Sequence, residues 1–105
     1  MKRVDTKQCL AHVLVCVNER DNPAMPCCHE AQGDEVYERL RRWAAARGLL
    51  ARIWITRSGC LGWCHREGTT LVIYPEGVWY RGVKPDDLDA IIAQHLQALV
   101  PTQET

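Results

Sequence analysis

The alternation of apolar and polar stretches along the chain predicts four strands. Residues 12–17 form a short, continuous apolar run rich in β-branched side chains, which is typical of a strand buried on both faces. Residues 51–56 form a second run of this kind. Residues 69–74 and 78–81 form two more, and the three-residue turn Pro75-Glu76-Gly77 between them predicts a hairpin.

Two further segments have the periodicity of a helix with one buried face. The first begins at about Asp34, placed to cap free backbone amides, and runs to Arg47, after which Gly48 can close it in the left-handed conformation. The second opens at Lys84-Pro85-Asp86-Asp87, because proline suits the first helical position, and it ends before Pro101. The predicted buried positions are Val36, Leu40, Trp43 and Ala44 in the first helix and Leu88, Ile91, Ile92, Leu96 and Leu99 in the second.

The order of these elements is β-α-β, a cysteine-containing loop, and β-β-α. A strand-helix-strand unit almost always has a right-handed crossover and parallel neighbouring strands. The chain has no internal repeat, low-complexity tract or linker, so residues 1–105 are predicted to form one α/β domain. Residues 1–10 are a polar leader of that domain, and residues 101–105 are a frayed tail.

Charge and targeting signals narrow the classes of protein that the chain can belong to. Thirteen basic residues balance thirteen acidic ones, so the net charge favours neither nucleic acid nor an anionic membrane surface as a partner. No apolar run follows the basic N-terminal residues and no segment approaches twenty apolar residues, which predicts a cytoplasmic protein. Because cytosolic thiols are kept reduced, the six cysteines are expected to serve metal or redox chemistry rather than structural disulfides.

Five of the six cysteines lie at the ends of predicted strands or in the loops that follow them. Cys16 ends the first strand, Cys27 and Cys28 follow in a proline-containing loop, and Cys60 and Cys64 lie beside two glycines in the loop after the second strand. Parallel neighbouring strands deliver both loops to one edge of the sheet. Four thiolates there can hold a [2Fe-2S] cluster, two for each iron. The predicted ligands are Cys16, Cys28, Cys60 and Cys64.

Other interpretations of the same cysteines stay open at this point. Structural zinc also takes four cysteines, although it favours closely spaced C-x2-4-C pairs on both sides, and it would make the protein a zinc-binding interaction module. A thioredoxin-type dithiol needs a C-x-x-C motif, which the sequence lacks. Ordinary buried cysteines explain one or two thiols but not two loop clusters. His29 and His65 would indicate a Rieske-type site only if they replaced two cysteines as ligands. No nucleophile with an adjacent base and no phosphate-binding loop is recognisable, so catalysis is not expected.

Segments spread over residues 12–96 resemble the thioredoxin-like [2Fe-2S] ferredoxins. The most specific are G-C-L-G-W-C at residues 59–64 and Y-P-E-G-V-W-Y at residues 74–80, and shorter matches lie at residues 12–18, 27–28, 33–36 and 83–88. The resemblance implies a thioredoxin-like fold, with a mixed four-stranded sheet and two main helices. It also implies a cluster near the surface, homodimers, and one-electron transfer between a redox protein donor and an acceptor. Related modules form a subunit of respiratory NADH dehydrogenases and of some hydrogenases, so a non-catalytic subunit of such a complex is an alternative.

The family's ligand positions correspond to the same four cysteines. Cys27 is the alternative to Cys28, because the loop is one residue shorter before this position and one residue longer after it than the family pattern. Cys9 matches no ligand position and is expected to be a free thiol. Trp79 and Tyr80 are expected in the core or in a dimer contact, because large aromatic side chains mostly bury area.

Overall fold

A computed structural model describes residues 1–17, 32–59 and 68–100 of the chain. These residues form one four-stranded sheet, one long helix and a C-terminal helical segment. The strands are β1 (Ala11–Cys16), β2 (Ile53–Ser58), β3 (Thr69–Tyr74) and β4 (Val78–Val83), and the long helix is α1 (Gly33–Ala46). The C-terminal segment contains a 3-10 turn (Pro85–Asp87), α2 (Leu88–Ile91), a π-helical turn (Ile92–Leu96) and a final 3-10 turn (Gln97–Leu99). Within these ranges no helix has the length and apolar character needed to cross a membrane.

The sheet has the strand order β2-β1-β3-β4. β1 pairs with β2 in parallel and with β3 antiparallel, and β3 pairs with β4 antiparallel. The predicted β-α-β unit, the hairpin and the mixed four-stranded sheet are therefore confirmed. The hairpin turn has Gly77 at a φ of 71°, which glycine adopts without strain, and its peptide bond between Tyr74 and Pro75 is cis.

The second strand lies two residues later than its apolar pattern predicts. Residues 49–52 form a turn instead, in which the amides of Arg52 and Ile53 both donate to the carbonyl of Leu49, at 2.9 and 2.7 Å. The strand then continues to Ser58, because its last two residues pair with the end of β1. Pairing with a neighbour, which a local pattern does not contain, decides where this strand stops.

The long helix begins at Gly33, one residue before the predicted start. Gln32 is its N-cap and makes no side-chain capping bond, while Asp34 lies in the first turn, 3.9 Å from the guanidinium of Arg57. The prediction that Asp34 is the capping residue is therefore wrong. The predicted stop is confirmed, since Gly48 has a φ of 66° directly after the helix.

The C-terminal segment is less regular than the single helix that its apolar positions predict. Pro85 opens it as expected, and Asp87 accepts a 2.9 Å hydrogen bond from the amide of Lys84. The α-helical geometry changes to a π-helical turn at Ile92. Apolar spacing cannot predict this change, because the buried positions remain on one side of the segment in either geometry.

The two faces of the sheet differ in what covers them. Alternate strand residues on one face join the buried face of α1 and the C-terminal segment in a single core. Its members include Val13, Val15, Leu40, Ile53, Leu71, Ile73, Leu88 and Leu96. The opposite face, here called the open face, carries His12, Leu14, Trp54, Thr56, Val72, Tyr74 and Trp79, as the strand register requires. On it Trp79 is 46% exposed and Tyr74 is 42% exposed.

Candidate functional site

Cys16 is the last residue of β1, and its side chain is fully buried. Strand alternation places it on the same face as His12 and Leu14 rather than with the core residues Val13 and Val15. Its thiol is free of any disulfide. Cys16 therefore lies at the carboxyl end of the central strand, where ligand chemistry gathers in open α/β sheets.

The other candidate ligands lie outside the described residues. Cys27 and Cys28 belong to residues 18–31, and Cys60 and Cys64 belong to residues 60–67, as do the neighbouring His29 and His65, one in each segment. The described residues nevertheless show where the chain leaves the sheet before each segment and which element follows each segment. The first segment returns at Gln32, at the start of α1, and the second returns at Gly68, at the start of β3.

Both cysteine segments leave the same edge of the sheet from adjacent strands. Cys16 is the Cα partner of Ser58 in the parallel pairing of β1 with β2, and the amide of Val17 donates to the carbonyl of Ser58 at 3.0 Å. Ser58 is two residues before Cys60. Neighbouring strands in a sheet are about 4.7–4.9 Å apart, so the chain enters the two segments side by side. This geometry fits thiolates from both segments converging on one group.

Thr69 contacts Cys16 directly. Both residues are fully buried, and the hydroxyl Oγ1 of Thr69 donates a 2.5 Å hydrogen bond to the Cys16 carbonyl. Thr69 is the first residue of β3 and follows the second cysteine segment by two positions. Thr69 was not among the predicted site residues. Its only sequence signal is a β-branched hydroxyl residue at the point where the second loop returns to the sheet.

Gly68 returns the second segment to the sheet through a very close backbone approach. A Cβ atom at Gly68 would lie 2.2 Å from the carbonyl carbon of Gly82 and 2.5 Å from the nitrogen of Val83. Gly82 has a φ of 72°, and the register of β3 with β4 shifts between Thr69 and Leu71. The extra residue on β4 is a β-bulge, which bends this strand beside the end of the cysteine segment.

Side-chain contacts connect the last residues of β2 to the first turns of α1. Arg57 donates a 2.9 Å hydrogen bond to Glu38, and its guanidinium lies 4.6 Å from the ring centroid of Tyr37. Each partner of the ion pair is about half exposed, so the pair stabilises the fold by well under 1 kcal/mol. The stacking on Tyr37 adds an orientation that a lysine could not reproduce. These contacts hold the end of β2, which precedes the second cysteine segment, against α1, which follows the first.

The chain is similar to known proteins both in sequence and in structure. No model of a known protein family matches the chain. A 2Fe-2S ferredoxin of Clostridium pasteurianum is 32% identical over 87 residues, which cover 82% of this chain and 84% of the relative. A 2Fe-2S ferredoxin of Aquifex aeolicus is 36% identical over 95 residues, covering 88% and 84%. The crystal structure of the wild-type thioredoxin-like [2Fe-2S] ferredoxin from Aquifex aeolicus superposes with a TM-score of 0.75 at 35% identity, covering 90% of this chain and 92% of that one. The chain belongs to the thioredoxin-like [2Fe-2S] ferredoxin family.

Membership of this ferredoxin family confirms the resemblance and the fold class that the sequence predicts. Ferredoxins carry electrons through iron-sulfur clusters, so the electron-carrier interpretation is also confirmed for the family. The zinc-binding alternative receives no support from these relatives. The ligand assignment within the chain, including the choice between Cys27 and Cys28, stays a prediction.

Trp79 and Tyr80, which were both expected in the core or in a dimer contact, lie on opposite faces of the sheet in this ferredoxin. Tyr80 faces the core side of the sheet, where its hydroxyl lies 2.6 Å from Nε2 of His95. Trp79 lies on the open face. The His95 side chain is only 6% exposed, and its Nδ1 lies 3.4 Å from the Glu76 carboxylate. With the proton on Nδ1, His95 donates to Glu76 and accepts from Tyr80, and so ties the hairpin to the π-helical turn.

Proposed function

We propose that this chain holds a [2Fe-2S] cluster through the thiolates of Cys16, Cys28, Cys60 and Cys64 and passes single electrons between a redox protein donor and an acceptor. The observation that carries the proposal is the pairing of Cys16 with Ser58, because it starts both cysteine segments from adjacent positions at one edge of the sheet. Membership of the ferredoxin family supports the same cluster type. Four cysteine thiolates are also the ligand set that a [2Fe-2S] cluster requires.

The residues of this chain would hold the cluster and control its surroundings, whereas the cluster itself would supply the one-electron chemistry. Cys16 offers a thiolate from a buried strand end, where little water competes for the metal. The backbone that carries it is paired with Ser58 of β2, and its carbonyl accepts a hydrogen bond from Thr69, so little ordering is needed when the thiolate binds iron. No step of acid-base or nucleophilic catalysis is part of this proposal, and the protein acts as a carrier rather than an enzyme.

Anaerobic purification followed by iron, sulfide and zinc analysis tests the cluster. We expect red-brown protein with iron and acid-labile sulfide in equal amounts, and an electron paramagnetic resonance (EPR) signal after reduction. Colourless protein with one zinc per chain would contradict the proposal. Replacing each candidate ligand by alanine should lower the iron content, and Cys9→Ala is the matched control, since Cys9 is a free thiol on the leader.

Paired single substitutions decide the second ligand. Cys28→Ala should lose the cluster while Cys27→Ala keeps it. The opposite result would move the ligand to Cys27 and leave the rest of the proposal standing. Retention of the cluster in both single variants and in the double variant Cys27→Ala with Cys28→Ala would remove this segment from the site.

The proposal extends to a homodimer in which a second copy covers the open face of the sheet. Tyr74 and Trp79 expose large aromatic surfaces on that face, and exposed apolar patches of this kind mark association surfaces. The formal net charge of zero leaves little electrostatic repulsion between two copies. Light scattering should give twice the chain mass of 12.0 kDa. Trp79→Glu should reduce it to one chain, whereas Ala45→Glu, which places the same charge on an exposed position of α1, should not.

We also propose a cytoplasmic location and redox protein partners. Cysteines that bind a cluster rather than form structural disulfides are typical of a reducing compartment. Co-purification from native extract, followed by mass measurement, would distinguish a free carrier from a subunit of a larger complex. A free carrier should elute at the mass of its homodimer, while a stable complex with an oxidoreductase would indicate the subunit role.

A further inference from the structure

We propose that Thr69 is a positioning residue for the cluster, acting through the backbone of Cys16. This inference rests on the proposed function, because it gives Thr69 a role only if Cys16 is a ligand. Thr69 does not belong to the predicted ligand set and is not expected to touch iron. Its hydroxyl instead holds the peptide group between Cys16 and Val17, directly before the first cysteine segment.

This hydrogen bond lies just beyond the end of the β1–β3 pairing, where it constrains a residue that the pairing does not reach. The register of β1 against β3 runs from His12 with Tyr74 to Val15 with Leu71, and therefore ends one residue before Cys16. The Thr69 hydroxyl reaches beyond that last pair and binds the Cys16 carbonyl at 2.5 Å. It thus extends the hold of β3 on β1 by one residue, to the residue that carries the thiol.

Holding this carbonyl constrains the thiol as well. The carbonyl belongs to the peptide plane on the C-terminal side of Cys16, and rotation of that plane changes ψ of Cys16 and the direction in which the chain leaves it. A buried carbonyl without a donor would turn toward another partner, since burying an unsatisfied polar group is costly. The donor on Thr69 removes that tendency. Groups that hydrogen-bond to the scaffold of a ligand in this way orient the ligand and tune the metal site.

The hydrogen bond also connects the two cysteine segments. Thr69 follows residues 60–67 in sequence, and Cys16 precedes residues 18–31. Gly68, directly before Thr69, is fixed against the backbone of Gly82, so the hydroxyl projects from a part of the chain that has little room to shift. The bond therefore fixes the distance between Cys16 and Thr69, the described residues that lie next to the two segments in sequence.

A pair of substitutions that differ by one hydroxyl tests this role. Thr69→Ser and Thr69→Ala both remove the methyl group of Thr69, but only serine keeps the donor. Thr69→Val keeps the shape and removes the donor. Thr56→Val is the control on β2, because it removes a threonine hydroxyl that lies 2.8 Å from His12 on a residue paired with Leu14 rather than with Cys16.

The readouts are the rate of iron release to a chelator and the EPR spectrum of the reduced, iron-loaded protein. Thr69→Val and Thr69→Ala should release iron about tenfold faster than wild type, the lower end of the effect seen for groups that support metal ligands. Both should also show a shifted spectrum. Thr69→Ser and Thr56→Val should stay within about twofold of wild type, as expected where the supporting donor is kept.

The outcomes separate this inference from the proposed function. Wild-type protein without iron and sulfide would overturn both. Iron-loaded wild type with equal release rates and spectra for Thr69→Ser and Thr69→Ala would overturn the positioning role alone. If Thr69→Val does not fold, the serine and alanine variants still decide the question. Thermal unfolding is measured for each variant in parallel. Iron release that rises only in proportion to the loss of melting temperature, in the Thr69 and Thr56 variants alike, would contradict the positioning role.

Discussion

Adding one methyl group to Gly68 is predicted to damage the fold severely. The new Cβ would lie 2.2 Å from the carbonyl carbon of Gly82, and 2.5 Å from the Gly82 oxygen and the Val83 nitrogen. These distances are roughly 1 Å short of ordinary contact, and all three atoms belong to the backbone, which cannot rotate away as a side chain does. The substitution can be accommodated only if β3 and β4 separate at the bulge.

The magnitude follows from the number and kind of atoms that must move. Inserting a methylene group into a well-packed region costs about 1–3 kcal/mol. Because the clash is with backbone on a paired strand, we expect the upper end, about 3 kcal/mol, out of a total stability on the order of 5–15 kcal/mol. For a domain of this size, that corresponds to a melting temperature lowered by about 12 °C or more.

Two other glycines serve as matched controls for Gly68→Ala. At Gly59, no described atom lies within 4 Å of the added Cβ, and the backbone is outside the left-handed region, so Gly59→Ala should change stability by less than about 0.5 kcal/mol. At Gly48 the space is also open, but a φ of 66° makes alanine cost about 1 kcal/mol. Thermal unfolding followed by circular dichroism should therefore rank Gly59→Ala above Gly48→Ala and Gly68→Ala last. A Gly68→Ala variant that melts with Gly59→Ala would refute the close approach of β3 and β4.

Three further outcomes are expected. His95→Phe should lower the free energy of unfolding by about 1–3 kcal/mol, because it leaves the Tyr80 hydroxyl without its partner. Glu76→Gln should lower it by less than about 0.5 kcal/mol, because Glu76 is half exposed. Equal losses for the two variants in urea denaturation would contradict this ranking. Leu40→Ala should cost about 2–5 kcal/mol, since the side chain is fully buried under the sheet, and a smaller loss would mean that α1 packs more loosely than described. Removing iron with a chelator should lower the melting temperature, because ligand binding adds to the stability of the folded state; an unchanged melting temperature would argue against a cluster that ties both cysteine segments.

Much of the architecture could be predicted because it follows from local rules. The spacing of Val36 and Leu40 requires a helix with one buried face, and Gly48 supplies a stop that other residues take at a cost. The β-α-β order then forces parallel strands and brings Cys16 to the same edge as the loop after β2. The resemblance of residues 59–64 and 74–80 to the thioredoxin-like [2Fe-2S] ferredoxins was enough to predict the family, and the known relatives confirm it.

Features that depend on a partner strand or on a distant backbone atom were not predictable. β2 ends at Ser58 rather than residue 56, because the end of β1 is there to pair with it. The π-helical turn at Ile92–Leu96 places His95 against Tyr80 of the hairpin. The spacing of apolar residues does not predict this contact. Asp34 is a residue type that often caps helices, but it lies inside the first turn because Gln32 is the N-cap.

The sequence by itself determined the class of this protein: an α/β fold, a family of electron carriers, and a set of cysteines suited to a [2Fe-2S] cluster. Those properties are set by residue type, order and spacing, which are all local. Only the tertiary structure decided that Thr69 holds the carbonyl of Cys16, that Gly68 passes against Gly82, and that the Tyr80 hydroxyl meets His95. These contacts join residues far apart in the chain, and they exist only because strand pairing, the β-bulge and helix packing bring specific atoms together.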